Sequence, residues 1–317
     1  MNQIPTIDLK GVSEQDMIDL DRACQDHGFF FITGHQLDDR LEKVLNASQA
    51  FFEAPQDTKH KYMRTSDNPF GYYDRELTKQ KRDLKEVFDF YVAPKNSASR
   101  MTWPDEPAGF QSALTAYFEQ CAITAERCLA LIAQALGLEN DAFAEHFAQG
   151  SSNVARLNYY HSSDPLNAAQ QSSTAPLGDM ALHHHTDQGV ITLLHQDTVG
   201  GLQAHSTEDG WIDVPPKPGA LVVNIGDMVQ VWSNGKYKAA LHRVTPIPAG
   251  RSRLSVPFFY QPSMKATMSP HPALGEPIYK TFPWREFIEG RVSDNYSDQG
   301  EEDIQIDRYL KDAVGVS

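Results

Sequence analysis

A chain of 317 residues with 40% hydrophobic composition can bury a large core, as one domain or as two closely packed pieces. Its net charge of −14 repels phosphates, so neither nucleic acid nor an anionic membrane surface is expected as a partner. Three cysteines (Cys24, Cys121 and Cys128), an odd number with no CxxC, argue against a disulfide scaffold. They suit a reducing cytoplasm, and MNQIPTIDLKG at the start carries no apolar signal region.

Taken in order, Ile4–Leu9 alternates apolar and polar residues behind a proline and predicts a short edge strand. Helical spacing over Asp16–Asp26 predicts a helix stopped at His27-Gly28. Phe29–Ile32 reads as a buried strand ending at Gly34, and Leu41–Phe52 as a second amphipathic helix stopped before Pro55. Residues 59–86 are rich in charge (Lys79-Gln80-Lys81-Arg82-Asp83) and read as solvated loop and turn. Glu86–Tyr91 predicts a strand, and Trp103-Pro104 a bend.

Apolar residues spaced by three and four from Gln111 to Leu138 predict one long packing helix, with Cys121 and Cys128 on its buried face. Beyond residue 150 the character changes. Short apolar runs at Val154–Tyr160, Val190–His195, Gly201–Ala204, Ala220–Ile225, Val229–Val231 and Arg253–Tyr260 predict strands of a sandwich, barrel or jelly roll. The last stretch, Trp284–Leu310, reads as a helix, a polar segment over Ser293–Asp303 and a short second helix.

Three groups of residues carry chemistry. His185 and Asp187, two apart in ALHHHTDQGVITLL, point to one face of an extended segment and can share a metal without filling its shell. His242 is the candidate third ligand. Two histidines and one carboxylate, with positions left open, form the ligand set of non-haem Fe(II) oxygenases. His183 shares the strand parity of His185 and is the fallback ligand, whereas His184 faces away. Arg253 and Ser255, one strand later, offer a planar guanidinium and a hydroxyl to a carboxylate. Asn158 and Tyr160 share a strand face that could complete an acid pocket.

With these motifs in hand, the chain resembles the isopenicillin N synthase-like branch of the Fe(II)/2-oxoglutarate-dependent dioxygenases, the iron/ascorbate-dependent oxidoreductase family. The resemblance rests on IPTIDL (4–9), ACQDHGFFFITGH (23–35), FFEAP (51–55), RLNYY (156–160), HTDQGVITLLHQD (185–197), GGLQ (200–203), WIDVPPKPGALVVNIGDMVQVWSNG (211–235), HRV (242–244) and RLS (253–255). It implies a mainly β fold with flanking α: a distorted jelly-roll (double-stranded β-helix) core wrapped by N-terminal helices. The expected division is an N-terminal region over 1–150, the core over 151–283 and a C-terminal helical segment over 284–317. It implies that His185, Asp187 and His242 bind Fe(II). Arg253 and Ser255 would hold the distal carboxylate of 2-oxoglutarate, with Tyr160 and Asn158 in support. The Gly226-Asp227 and Ser233-Asn234-Gly235 bends look like the family's structural turns.

The implied reaction couples O₂ and decarboxylation of 2-oxoglutarate to succinate with hydroxylation or desaturation of a small molecule, with ascorbate as an accessory reductant. A monomer or homodimer is expected. The chain departs from the pattern at His161, where Pro is usual, at His35-Gln36, and in the long Ser/Gln/Ala-rich stretch 162–180 at the pocket lip. Phe70, Tyr72, Phe88 and Tyr260 are candidates either for the pocket lining or for plain core packing. Rival readings are a 2-oxoglutarate-independent iron oxidase or an ethylene-forming enzyme of the same fold, a non-catalytic binder, and a zinc hydrolase. The last lacks an assignable general base.

Overall fold

The computed structural model describes residues 4–65, 67–78, 81–94, 101–296 and 305–311. The first strand, β1 (Thr6–Asp8), is the expected edge strand, and α1 (Glu14–Asp26) follows behind a Ser13–Asp16 capping box. Gly28 ends α1 at φ +71°, donating to Ala23 O, and a side chain there would run into Ile225 and Ala240. Next come β2 (Phe29–Thr33), α2 (Asp38–Phe52), the short α3 (Gln56–His60), β3 (Gly71–Tyr73), the hairpin β4 (Leu77–Thr78) and β5 (Lys81–Arg82), and β6 (Lys85–Phe90). The long helix α4 spans Phe110–Ala135. Then follow β7 (Val154–Tyr160), α5 (Ala168–Ser172), β8 (Leu182–His185), β9 (Ile191–Gln196), β10 (Leu202–Ser206), β11 (Gly210–Asp213), β12 (Leu221–Ile225) and α6 (Asp227–Trp232). The chain closes with β13 (His242–Val244), β14 (Arg253–Tyr260), the pair β15 (Thr267–Met268) and β16 (Phe282–Pro283), and α7 (Trp284–Tyr296).

Two facing sheets make the jelly roll. The major sheet runs β1-β2-β12-β9-β14-β7-β6-β3 and the minor sheet β11-β10-β13-β8. Strand alternation sorts the major sheet into two faces. Phe30, Ile32, Leu157, Leu193, Val223, Val256 and Phe258 point outward and pack with α1, α2 and α4 in one core. Phe29, Phe31, Tyr160, Leu194 and Val222 point inward and form a second core against the minor sheet, with Leu202, Ala204 and Val244. Each fully buried Leu, Ile or Phe contributes about 1.5–3 kcal/mol, so the outer core, with α4 buried along one side, supplies most of the apolar stabilisation.

Two expectations are corrected. Val229–Val231 is not a strand but the middle of α6, which starts behind Gly226; a three-residue apolar run does not distinguish the two periods. Residues 59–86 are not a solvated face. Lys59, Arg64, Asp74, Glu76, Arg82, Asp83, Lys85 and Glu86 are all buried, because each charge finds an opposite one inside the fold. Lys79 and Gln80 lie outside the described residues, as does the polar segment expected at Ser293–Asp303 from residue 297 to its end. The short second helix is the 3₁₀ turn Ile306–Tyr309.

Candidate metal centre and acid pocket

β8 and β13 pair antiparallel with His185 opposite His242, which places the two imidazoles side by side, 4.3 Å between ring centroids. Asp187 follows β8 directly and turns back toward them. Its Oδ1 lies 3.7 Å from His185 Nε2 and 3.9 Å from His242 Nε2. Candidate ligand atoms of the three residues all lie within 4.8 Å of one another, a spacing that one metal ion can span.

The outer atoms of each residue are held. His185 Nδ1 donates to the carbonyl of His183 at 2.9 Å and His242 Nδ1 to that of Ala240 at 2.8 Å, in the tautomers that turn both Nε2 atoms inward. Asp187 Oδ2 accepts from Thr192 Oγ1 at 2.5 Å and from Asn224 Nδ2 at 2.8 Å, leaving Oδ1 for the centre. Burial drives the His185 imidazole down, aided by neighbouring His242, so the ring is neutral as a ligand must be. Burial alone would raise Asp187; neighbouring His242 and the hydrogen bonds from Thr192 and Asn224 outweigh it and hold the carboxyl below its usual range.

The main chain of this turn is fixed as closely. Asp227 N donates to Asp187 O at 2.9 Å, and a Cβ on Gly226 would fall 2.3 Å from Gly189 O. From α7, Arg291 Nη2 donates to Thr186 O at 2.9 Å, between the two expected ligands. The Asp227 carboxyl, buried beside Arg291, is pushed up to about 6 by burial.

On the inner face of the major sheet, register sets Arg253 opposite Tyr160 and Ser255 opposite both Asn158 and Gln196. The Arg253 guanidinium is 1% exposed, lies over the Tyr160 ring at 4.9 Å, and donates to Ser255 Oγ at 3.3 Å and Gln196 Oε1 at 3.2 Å. Among the described residues no carboxylate reaches it, and its Nε and the neighbouring Asn158 Oδ1 have no hydrogen-bond partner. A buried cation with unmet donors is costly unless an anion joins it, so this pocket could hold a carboxylate.

The structure thus gathers His185, Asp187 and His242 at one point, and Arg253, Ser255, Asn158 and Tyr160 at another. His183 stands apart: its ring bonds Asp179 at 3.0 Å and faces Asp83 at 3.8 Å. His184 faces away, toward Trp211. Three of the four aromatics proposed for the pocket are core residues. Tyr72 and Phe88 pack against Phe51 on the outer face, and Tyr260 stacks on Phe147. Thr192, Asn224, Gln196 and Arg291 were not singled out from sequence. An asparagine inside the apolar run Leu-Val-Val-Asn-Ile was the one available signal.

A jelly roll carrying two histidines and a carboxylate at one point defines the class of non-haem iron oxygenases. The chain matches the family model described as the 2OG-Fe(II) oxygenase superfamily over residues 151–262, and the one described as non-haem dioxygenase in morphine synthesis N-terminal over 4–106. It is 34% identical over 277 residues to a homoarginine-6-hydroxylase of Oryza sativa subsp. japonica, covering 82% of each chain. With a flavanone 3-dioxygenase of Petroselinum crispum it shares 31% identity, over 85% of this chain and 73% of the relative. Among solved structures, JOX2 in complex with 2OG, Fe and JA superposes with a TM-score of 0.83 at 26% identity, covering 98% of this chain and 89% of that one. A Neurospora crassa enzyme crystallised with alpha-KG and thymine gives 0.76 at 25% identity, covering 92% and 97%. The chain belongs to the 2-oxoglutarate/Fe(II) oxygenase family, the iron/ascorbate-dependent oxidoreductases. It is an oxidoreductase that uses Fe(II), 2-oxoglutarate and O₂. Among the described residues no helix is long and apolar enough to cross a membrane.

Proposed function

We propose that His185, Asp187 and His242 hold Fe(II), that Arg253 and Ser255 hold the distal carboxylate of 2-oxoglutarate, and that Tyr160 and Asn158 flank it, for oxidation of a small molecule. The observation that carries this reading is the Arg253 guanidinium, buried without a carboxylate on the inner face. The donor set fits the metal: two imidazole nitrogens and one carboxylate oxygen converge, each turned inward by a partner on its far side.

When bound, Fe(II) and 2-oxoglutarate supply O₂ activation coupled to oxidative decarboxylation to succinate. The chain's own part is to orient and exclude. Arg253 would hold the distal carboxylate by charge-assisted hydrogen bonds from the inner face of the major sheet. The Tyr160 ring beneath that guanidinium keeps its plane. Leu194, Val222 and Phe29, buried next to the Asp187 supports, keep water from the centre. Oxidation of a small-molecule substrate in the cytoplasm, by a monomer or homodimer, completes the proposal; the homoarginine hydroxylase and flavanone dioxygenase are relatives with such activities.

The test is an anaerobic visible spectrum with Fe(II) and 2-oxoglutarate. A weak charge-transfer band in the wild type that Arg253→Ala abolishes at matched 2-oxoglutarate is the expected result. Loss of a charge-assisted pair, about 1.5–3 kcal/mol, should weaken 2-oxoglutarate by about 10–100-fold. Iron binding with no band in the wild type would overturn the assignment of the acid pocket.

A further inference from the structure

A buried glutamine links the acid pocket to the metal centre. On β9, Thr192 and Gln196 lie four residues apart and share the inner face of the major sheet with Leu194. Thr192 Oγ1 donates to Asp187 Oδ2 at 2.5 Å, at the metal end. Gln196 Oε1 accepts from Arg253 Nη2 at 3.2 Å, at the acid end. One strand therefore touches both ends, over about 13 Å of its length at about 3.3 Å per residue.

The other half of the Gln196 amide reaches across to the minor sheet. Its Nε2 donates to Val214 O at 2.9 Å. Val214 N donates in turn to Leu202 O at 2.9 Å, and Leu202 pairs with Val244 on β13, two residues beyond His242. A run of hydrogen bonds thus crosses from Arg253 to the strand that carries a candidate metal ligand. The amide can sit only one way round. A carbonyl only accepts and a guanidinium only donates, so the nitrogen faces Val214 and the oxygen faces Arg253. Ser255 Oγ takes the other terminal nitrogen of Arg253, Nη1, at 3.3 Å. Two neutral acceptors therefore fix the guanidinium without neutralising it, and its Nε has no hydrogen-bond partner.

We propose that Gln196 is a positioning residue that sets the length of keto acid the site accepts. The inference rests on the iron and 2-oxoglutarate sites assigned above. His185 and His242 belong to the minor sheet and Arg253 to the major sheet, so the span offered to a dicarboxylate is a distance between sheets. Gln196 bonds the acid end to the opposite sheet and holds that span. A five-carbon keto diacid fits it. A sixth carbon adds about 1.3 Å to an extended chain, which a fixed span does not absorb.

The experiment is equilibrium binding without turnover. Mn(II)-loaded protein is titrated anaerobically, by calorimetry, with 2-oxoglutarate and with its six-carbon homologue 2-oxoadipate. The wild type should bind the five-carbon acid about tenfold more tightly, or better. Gln196→Met keeps the length of the side chain and removes both hydrogen bonds. It should weaken 2-oxoglutarate by about tenfold and narrow the preference over 2-oxoadipate to about threefold or less, with the Co(II) absorption of the wild type. Gln196→Glu puts an anion on Arg253 and a second oxygen against Val214 O. It should weaken 2-oxoglutarate further than Gln196→Met does, because the guanidinium is already paired. A wild type that binds both acids equally overturns the proposal. So does a Gln196→Met protein that keeps the wild-type preference, which would make Gln196 a packing residue, or one that loses the Co(II) absorption, which would make the effect a general one. If Gln196→Met does not fold by circular dichroism, Gln196→Glu decides, and wild-type affinity for 2-oxoglutarate in that variant overturns the proposal. Binding of neither acid to the wild type overturns the parent assignment of the Arg253 pocket instead.

Discussion

At the residue scale, the candidate centre separates what touches the metal from what holds those groups in place. In the proposed centre Asp187 would offer Oδ1 to the metal, while Thr192 and Asn224 hold Oδ2. Loss of an outer partner costs about 10–100-fold in metal affinity, and loss of a ligand more. Asn224→Ala should therefore weaken Co(II), followed by its visible absorption, by about tenfold, and Asp187→Ala should abolish the spectrum. Equal losses would put the two residues in one role and refute the division. Gly226 makes a separate prediction. An added methyl would meet Gly189 O at 2.3 Å and Asp187 O at 2.8 Å, with backbone on both sides and nothing flexible to yield. Gly226→Ala should lose about 3 kcal/mol in urea unfolding; an unchanged midpoint would show that the turn relaxes freely.

At the element scale, the turn between β8 and β9 is held from two directions. The start of α6 supplies Asp227 N, and α7, 64 residues further on (291 − 227), supplies Arg291. Arg291→Ala should weaken Co(II) by about tenfold with helix content unchanged by circular dichroism, because Thr186 O loses a charged donor. Unchanged affinity would reduce α7 to a packing element.

What sequence could foresee follows the same elements. His185, Asp187, His242, Arg253 and Ser255 were legible because their residue types and strand spacing carry chemistry by themselves. The barrel strands were legible from short apolar runs with turn residues between them. α6 was misread because three apolar residues fit either period. The charges from Lys59 to Glu86 were misread because a buried ion pair and a solvated one look alike until the partner is known. The partners Arg156 and His161 lie on or beside β7, far along the chain.

At the scale of the whole molecule, those charges set a pH window. Burial would raise Glu76 and Glu86, but Arg156, Lys85 and Arg64 beside the first, and His161 and Lys59 beside the second, hold both below the usual carboxylate range. Their folded pKa values lie below the unfolded ones, so their contribution is present above about pH 4.5 and lost as pH falls through the folded values. Burial lowers His27, His35, His146 and His195, so protonation of the unfolded chain draws stability away as pH falls below about 6.5. The urea midpoint should be flat above pH 7, decline below about 6.5 and fall steeply below 4.5. A midpoint that rises on acidification would refute this balance.

The order of strands in the major sheet also sets the order in which it can be built. β2 leaves the ribosome early, yet its partner across the sheet is β12, with Phe29 pairing Asn224. At typical synthesis rates that partner follows by about 10–40 s. Until then the run Phe29-Phe30-Phe31-Ile32 lacks its antiparallel neighbour, with β1 and α1 among the elements beside it. Large sequence separation between paired strands slows closure. During synthesis this segment is therefore a site for a chaperone to cover, and a pause in translation before residue 225 would lengthen its exposure.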